Sequence, residues 1–116
     1  MPLFESAKFT TVGVTAGTGG TVIYTVPPRH AAVVKHFSFS NNNSGAKKIS
    51  AQYYDSKAAA YYYIVQDLSM AANSFTNIVD NNSISLNAND KILLTAETAG
   101  TISALISVDE LFDPNR

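Results

Sequence analysis

Apolar side chains return at every second position through most of this chain. Clusters of Asn, Gly, Ser, Asp or Pro break that rhythm about every 8–12 residues. A strand sends successive side chains to opposite faces, so a period of two with regular breaks describes half-buried strands joined by turns. The clearest case lies near the C-terminus. Ile102, Ala104, Ile106 and Val108 share one face, and Ser103, Ser107 and Asp109 the other. A one-residue slip would expose all four apolar side chains, which fixes the register. Extended runs are also expected at Phe9 to Val14, Thr21 to Val26, Ala31 to Ser40, Lys48 to Asp55, Tyr61 to Val65, Phe75 to Val79, Ile84 to Leu86 and Lys91 to Glu97. In the second of these, Val22, Tyr24 and Val26 are expected on one face and Ile23 and Thr25 on the other. Lys35 shares the parity of Val33, Phe37 and Phe39, a conflict that either a snorkelling lysine or a bulge resolves. The fold expected is all-β: an antiparallel β-sandwich, jelly-roll-like, of about eight or nine short strands with no major helix.

The 116 residues make one domain, with the sandwich over 9–111, an N-terminal arm over 1–8 and a C-terminal tail over 112–116. Hydrophobic residues supply 46% and charged residues 15%, against roughly 25% charged in an ordinary globular domain. The surface is therefore made polar by uncharged groups: 12 Ser, 10 Thr and 10 Asn outnumber the 17 charged residues. A net charge of −1 removes the basic excess that a nucleic-acid partner requires. Cysteine is absent, so the chain has no disulfide, thiolate metal site or cysteine nucleophile. No apolar run approaches the roughly 18 residues of a membrane helix, and no membrane partner is expected. The start, Met1-Pro2-Leu3-Phe4-Glu5, lacks the basic flank and apolar stretch of a secretory signal peptide, so none is expected.

Few groups suited to catalysis are available. His30 follows Pro27-Pro28-Arg29 in a turn, and His36 lies mid-strand on the parity of Val34 and Ser38. Both read as surface or turn residues, and neither belongs to a nucleophile-elbow pattern. Gly17-Thr18-Gly19-Gly20 precedes a strand rather than opening a helix, so it reads as a turn and not a phosphate loop. Asp80, Asn81, Asn82, Asn87, Asn89 and Asp90 carry the oxygen donors calcium prefers, but they do not match an EF-hand loop. No catalytic residue, cofactor or metal is assigned.

Tyrosine is the unusual component. Five of the six are Tyr53, Tyr54, Tyr61, Tyr62 and Tyr63. On consecutive strand positions Tyr61 and Tyr63 point one way and Tyr62 the other, so at least one ring lies outside the core. Exposed tyrosine combines an apolar ring with a polar tip and is favoured at protein interfaces. Two other readings compete: a tyrosine that caps the core with its hydroxyl in water, and a platform that stacks on sugar rings. The candidate interface residues are Tyr54, Tyr61, Tyr62 and Tyr63, with Phe4 and Phe112 from the terminal segments.

The order of features carries a resemblance. Thr21-Val22-Ile23-Tyr24-Thr25-Val26-Pro27 is followed by Ala32-Val33-Val34-Lys35-His36-Phe37 and then Asn41-Asn42-Asn43-Ser44-Gly45. Later come Tyr62-Tyr63-Ile64-Val65, Met70-Ala71-Ala72-Asn73-Ser74, Leu86-Asn87-Ala88-Asn89-Asp90-Lys91-Ile92 and Ile106-Ser107-Val108-Asp109-Glu110. This succession, over about residues 20 to 110, resembles small β-sandwich structural proteins of tailed bacteriophages, with marine and cyanobacterial phages the nearest association. Pro28-Arg29 stands where the family pattern has an Ala-Gly turn, and Ala88-Asn89 where Gly is common. The resemblance implies a non-enzymatic virion component, made in the host cytoplasm and assembled in many copies. A capsid decoration or cement protein is the leading expectation. Neck, tail or fibre components and a carbohydrate-binding module are the alternatives, and a small hydrolase ranks last. The implied partners are further copies of the chain and the major capsid, neck or tail proteins.

Overall fold

Alternation, bulges and turns together generate nine strands in the computed structural model, which describes residues 7–79 and 82–112. They are β1 (Ala7–Thr15), β2 (Thr21–Thr25), β3 (His30–Asn41), β4 (Lys47–Asp55), β5 (Ala60–Met70), β6 (Phe75–Val79), β7 (Ile84–Leu86), β8 (Lys91–Ala96) and β9 (Ile102–Phe112). No helix occurs among the described residues. One sheet has the order β1-β9-β3-β6, with β7 also on β3, and the other has β2-β8-β4-β5. Every pairing is antiparallel. β7 pairs with Ala32 to Val34 and β6 with Phe37 to Ser40, so the two short strands share one position beside β3. With those two merged, eight positions shuttle between two sheets in the connectivity of a jelly roll.

The core lies between the sheets. The inward set of β9, Ile102, Ala104, Ile106 and Val108, is fully buried, as are Ile92, Leu94 and Ala96 of β8 and Ile49 and Ala51 of β4. Each large member stabilises the fold by roughly 1.5–3 kcal/mol. A bulge between Val34 and His36 settles the Lys35 conflict. Ala32 and Val34 face inward before it and Phe37 and Phe39 after it, while Lys35 is exposed. Val33 therefore does not share the face of the phenylalanines, and His36 does not share the face of Val34. The Phe37 and Phe39 rings meet edge-on with centroids 5.0 Å apart.

A second bulge, at Ile23, alters the expected faces of β2. Ile23 and Tyr24 are both buried and Val22 is exposed, because an inserted residue turns two neighbours inward. β5 continues past Val65 to Met70 through two further irregularities. Ile64 is an extra residue between the Tyr63–Gln52 and Val65–Ala51 pairs, and Gln66 and Asp67 together oppose Ser50. Asp67 adopts a left-handed backbone (φ 50) and donates its N–H to Ser50 Oγ at 2.9 Å.

Among the described residues two polar side chains are buried, Asn41 and Asp90, and each closes one end of the sandwich. Asn41 Nδ2 donates to the carbonyls of Gly45, Met70 and Ala71, each at 3.1 Å. Its Oδ1 accepts the Asn43 N–H at 3.0 Å, so one amide ties the β3–β4 turn to the end of β5. Asp90 serves the opposite end of β4 and positions the tyrosines.

Candidate interaction surface

The tyrosine end is built on Asp90, in the turn before β8. Its Oδ1 accepts the N–H and the hydroxyl of Ser56, both at 3.0 Å. Its Oδ2 accepts the Asn87 N–H at 2.8 Å and the Tyr53 hydroxyl at 3.1 Å. Burial alone would raise the carboxyl pKa, but the backbone and side-chain donors of Ser56, Asn87 and Tyr53 outweigh burial and hold it below the ordinary carboxylate range. Burial first, and then the hydrogen bond to this carboxylate, push the Tyr53 hydroxyl up to about 12. The β4–β5 connection, the β7–β8 turn and the Tyr53 ring are thus locked together by one anion.

Register then distributes the remaining rings. Tyr62 lies opposite Tyr53, Tyr61 opposite Tyr54, and Tyr63 opposite Gln52. Tyr53 and Tyr62 stack on the inward face with centroids 6.2 Å apart at 24°. Tyr54 and Tyr61 sit on the outward face at 4.7 Å and 46°. Tyr63 shares that outward face, and Lys91 Nζ lies 5.5 Å from the Tyr54 centroid. Tyr61, Tyr62 and Tyr63 keep 55%, 54% and 54% of their surface exposed. Tyr62 has the inward parity, yet the opposite sheet leaves it uncovered at this end. β5 is the outermost strand of its sheet, so the three rings stand on a border.

Phe112 is the last residue of β9, opposite His30, and its ring lies 5.2 Å from the His30 ring at 60°. Phe4, Asp80 and Asn81 lie outside the described residues. The tyrosines and Phe112 are on different sheets, so the structure does not bring together all the residues singled out in the sequence.

A second surface escaped the sequence reading. The outward face of the β1-β9-β3-β6 sheet carries Phe9, Phe75 and Leu105, which are 64%, 72% and 50% exposed. They stand among Thr11, Ser38, Ser40, Ser103 and Ser107, and Thr11 Oγ1 lies 2.9 Å from Ser107 Oγ. Phe75, Leu105 and the three serines 38, 40 and 103 help line a shallow depression of about 450 Å³. A Cβ on Gly13 would stand 3.0 Å from Leu105 Cδ2, so the glycine lets that leucine lie across β1. Leu105 was legible as an apolar residue on the polar parity of β9, and that signal would have found the face.

Several other polar groups have partners within the chain. His30 Nδ1 donates to the Pro28 carbonyl at 2.9 Å, and His36 Nε2 lies 3.1 Å from Ser38 Oγ. Tyr24 donates its hydroxyl to Glu110, and burial followed by that carboxylate raises its pKa. Among the described residues no group of three or more His, Cys, Asp or Glu is placed to hold a metal. Both oxygens of Asp90 are already occupied by protein donors.

No protein-family model matches the sequence, and no curated protein matches it. Solved structures do share the fold. A chain of Bacillus endospore appendages, described as disulfide-linked pili, superposes with a TM-score of 0.54 at 12% identity over 93% of this chain and 87% of that one. A chain from the capsid of Helicobacter pylori bacteriophage KHP30 gives 0.55 at 11% identity, over 94% and 90%. A chain of the infectious bursal disease virus particle gives 0.54 at 6% identity, over 95% of this chain but only 32% of that one. At these identities the likeness is one of fold: a jelly roll shared with a phage capsid chain and a pilus chain of nearly the same extent, and with part of a larger viral chain.

Proposed function

We propose that this chain is a non-enzymatic structural subunit of a virus particle, assembled in many copies, and more specifically a decoration or cement protein on the capsid of a tailed bacteriophage. The observation that carries the reading is the character of the exposed surface. The sandwich presents three half-exposed tyrosines on one border and, on the other sheet, a face of Phe9, Phe75, Leu105 and hydroxyl side chains whose one carboxylate among these neighbours, Asp109, lies opposite Phe9. Aromatic and neutral polar groups are easily desolvated and favour contact with other proteins. Repetition on a lattice multiplies modest contacts into firm attachment. The likeness to a phage capsid chain fits a virion subunit, but the pilus chain is covered almost equally, so the choice between them rests on cysteine. A pilus held by disulfides has no counterpart here, because the chain contains no cysteine.

In this reading the partners are further copies and the major capsid protein, with Tyr54, Tyr61, Tyr62, Tyr63 and the termini at the contacts. The sugar-platform reading has less support. Tyr62 lies on the opposite face from Tyr61 and Tyr63, and the Tyr54 and Tyr61 rings are inclined at 46° rather than coplanar. Cryo-electron microscopy of purified particles tests the proposal. The expected result is a repeated jelly roll on the outer capsid lattice, with the tyrosine border or the hydroxyl face against a neighbour. Density confined to the neck or tail relocates the subunit, and particles without it overturn the reading.

A further inference from the structure

Four strand positions border the two sheets: β1, β2, β5 and the β6/β7 pair. A border strand offers unpaired N–H and C=O groups to any extended chain, and proteins blunt such borders with bulges, charges, prolines or brevity. β2 is bulged and runs into Pro27-Pro28. β6 and β7 span 5 and 3 residues. β1 is long and regular, but beyond Phe9 it offers Thr10, Thr11, Val12 and Gly13, which give little side-chain area.

β5 is divided. Its second half begins beyond Ile64 and is protected by the Gln66–Asp67 bulge, with a charge at the bulge. Its first half, Ala60-Tyr61-Tyr62-Tyr63-Ile64, is uncharged and pairs in register with β4 from Ala60 to Tyr63. It also carries the three exposed rings.

We propose that this half-strand pairs antiparallel with the same segment of a second copy, about a twofold axis through Tyr62. The partner is a second copy because the segment is self-complementary. Centred on Tyr62, Ala60 meets Ile64, Tyr61 meets Tyr63, and Tyr62 meets its own counterpart. The Tyr61–Tyr63 contacts fall on the outward face beside Tyr54, and the Tyr62 contact on the face of Tyr53. Cross-strand aromatic pairs of this kind stabilise a sheet. The charges match as well. Lys57, three residues before the segment, comes to the end where the partner's Asp67, three residues after it, is exposed. Two four-stranded sheets become one continuous sheet across an isologous contact. This inference deepens the structural-subunit reading without depending on a virion.

The test uses the full chain in solution. Sedimentation velocity from about 10 μM to about 1 mM spans the range in which a small interface associates. The expected result is a species of twice the 12.4 kDa chain mass. Tyr62→Lys sets two lysines against each other at the axis and returns the monomer, with an unchanged thermal melt showing that the fold persists. Thr11→Lys, on the β1 border, leaves the dimer intact. Because the chain has no cysteine, a single Tyr62→Cys is an unambiguous probe. Residues directly opposite in an antiparallel pair have Cα atoms about 4.5–5.5 Å apart, within disulfide reach. Oxidation therefore links Tyr62→Cys to itself, whereas Ala60→Cys, four positions out of register with its own copy, forms no cross-link. A chain that is monomeric throughout this range, a dimer lost on Thr11→Lys but not on Tyr62→Lys, or equal cross-linking at 60 and 62 overturns the proposal. A monomer that is nonetheless present in particles defeats the pairing alone, and a dimer missing from particles defeats the virion reading alone.

Discussion

At one end of β4 a buried carboxylate, Asp90, gathers N–H and O–H donors; at the other end a buried amide, Asn41, gathers carbonyl oxygens. Each ties a turn to a neighbouring connection, and each is fully satisfied. The choice of group follows what the local backbone leaves unpaired: donors at the Asp90 end, acceptors at the Asn41 end. The difference is one of charge, and hence of pH response. It is also one of purpose, because only the Asp90 end carries the tyrosine border. The anion gives the proposed contact surface a fixed base by holding Tyr53 against Tyr62.

Substitution of the anion should have the largest effect. Asp90→Ala strands the Ser56 and Asn87 N–H groups and the Tyr53 hydroxyl, and should cost about 3–5 kcal/mol in denaturant unfolding. Asn41→Asp sets a carboxylate among three carbonyl oxygens and should cost about 2–4 kcal/mol at neutral pH. The parent chain's Asp90 and the carboxyl introduced by Asn41→Asp should respond to acid with opposite signs. In the parent chain the folded pKa of Asp90 lies below its unfolded value. Its contribution is therefore present above the ordinary carboxylate range and is lost as pH falls through the folded pKa. Asn41→Asp should instead recover part of its deficit in acid, as the new carboxyl takes up a proton and can donate again. Thermal melts from pH 3 to 7 compare the slopes directly, about this range being where carboxylates titrate.

Tyr53 sharpens the comparison in alkali. Its folded pKa of about 12 exceeds the ordinary value of 10.0, so its contribution is whole below pH 10 and lost as pH rises through 12. Tyr53→Phe should cost about 1 kcal/mol and flatten that alkaline loss, read as melting temperature against pH. The smallest stability effects belong to the two proposed contact surfaces. Tyr61→Ala, Tyr63→Ala, Phe75→Ser and Leu105→Ser should each shift unfolding by no more than about 0.5 kcal/mol. Incorporation into particles should nevertheless fall, and a pull-down with labelled protein measures it.

Period two was enough to place the strands because most of them bury one face and expose the other. Ile102 to Val108 is the plainest instance. The same signal misassigned β2, where a bulge turns Ile23 and Tyr24 inward together, and it ended β5 early, where Asp67 enters a left-handed conformation within a continuing strand. Bulges depend on the partner strand, so the alternation of a single strand does not reveal them. For Lys35 the conflict of parity was itself the signature of one. The polar staples were invisible for a related reason: Asp90 and Asn41 sit in ordinary-looking turn clusters, and only burial separates them from their neighbours. The tyrosine border was legible from composition, whereas the hydroxyl face was overlooked because Phe9, Phe75 and Leu105 lie far apart in the chain.

In the proposed reading this jelly roll is built into a particle rather than acting on a small molecule. The decisive experiment is quantitative mass spectrometry of purified particles, with an isotope-labelled peptide of this chain as standard. The expected result is a repeated component, on the order of tens of copies per particle or more, as for a protein that tiles a lattice. Particles that contain none, while the soluble fraction holds all of the protein, would contradict it.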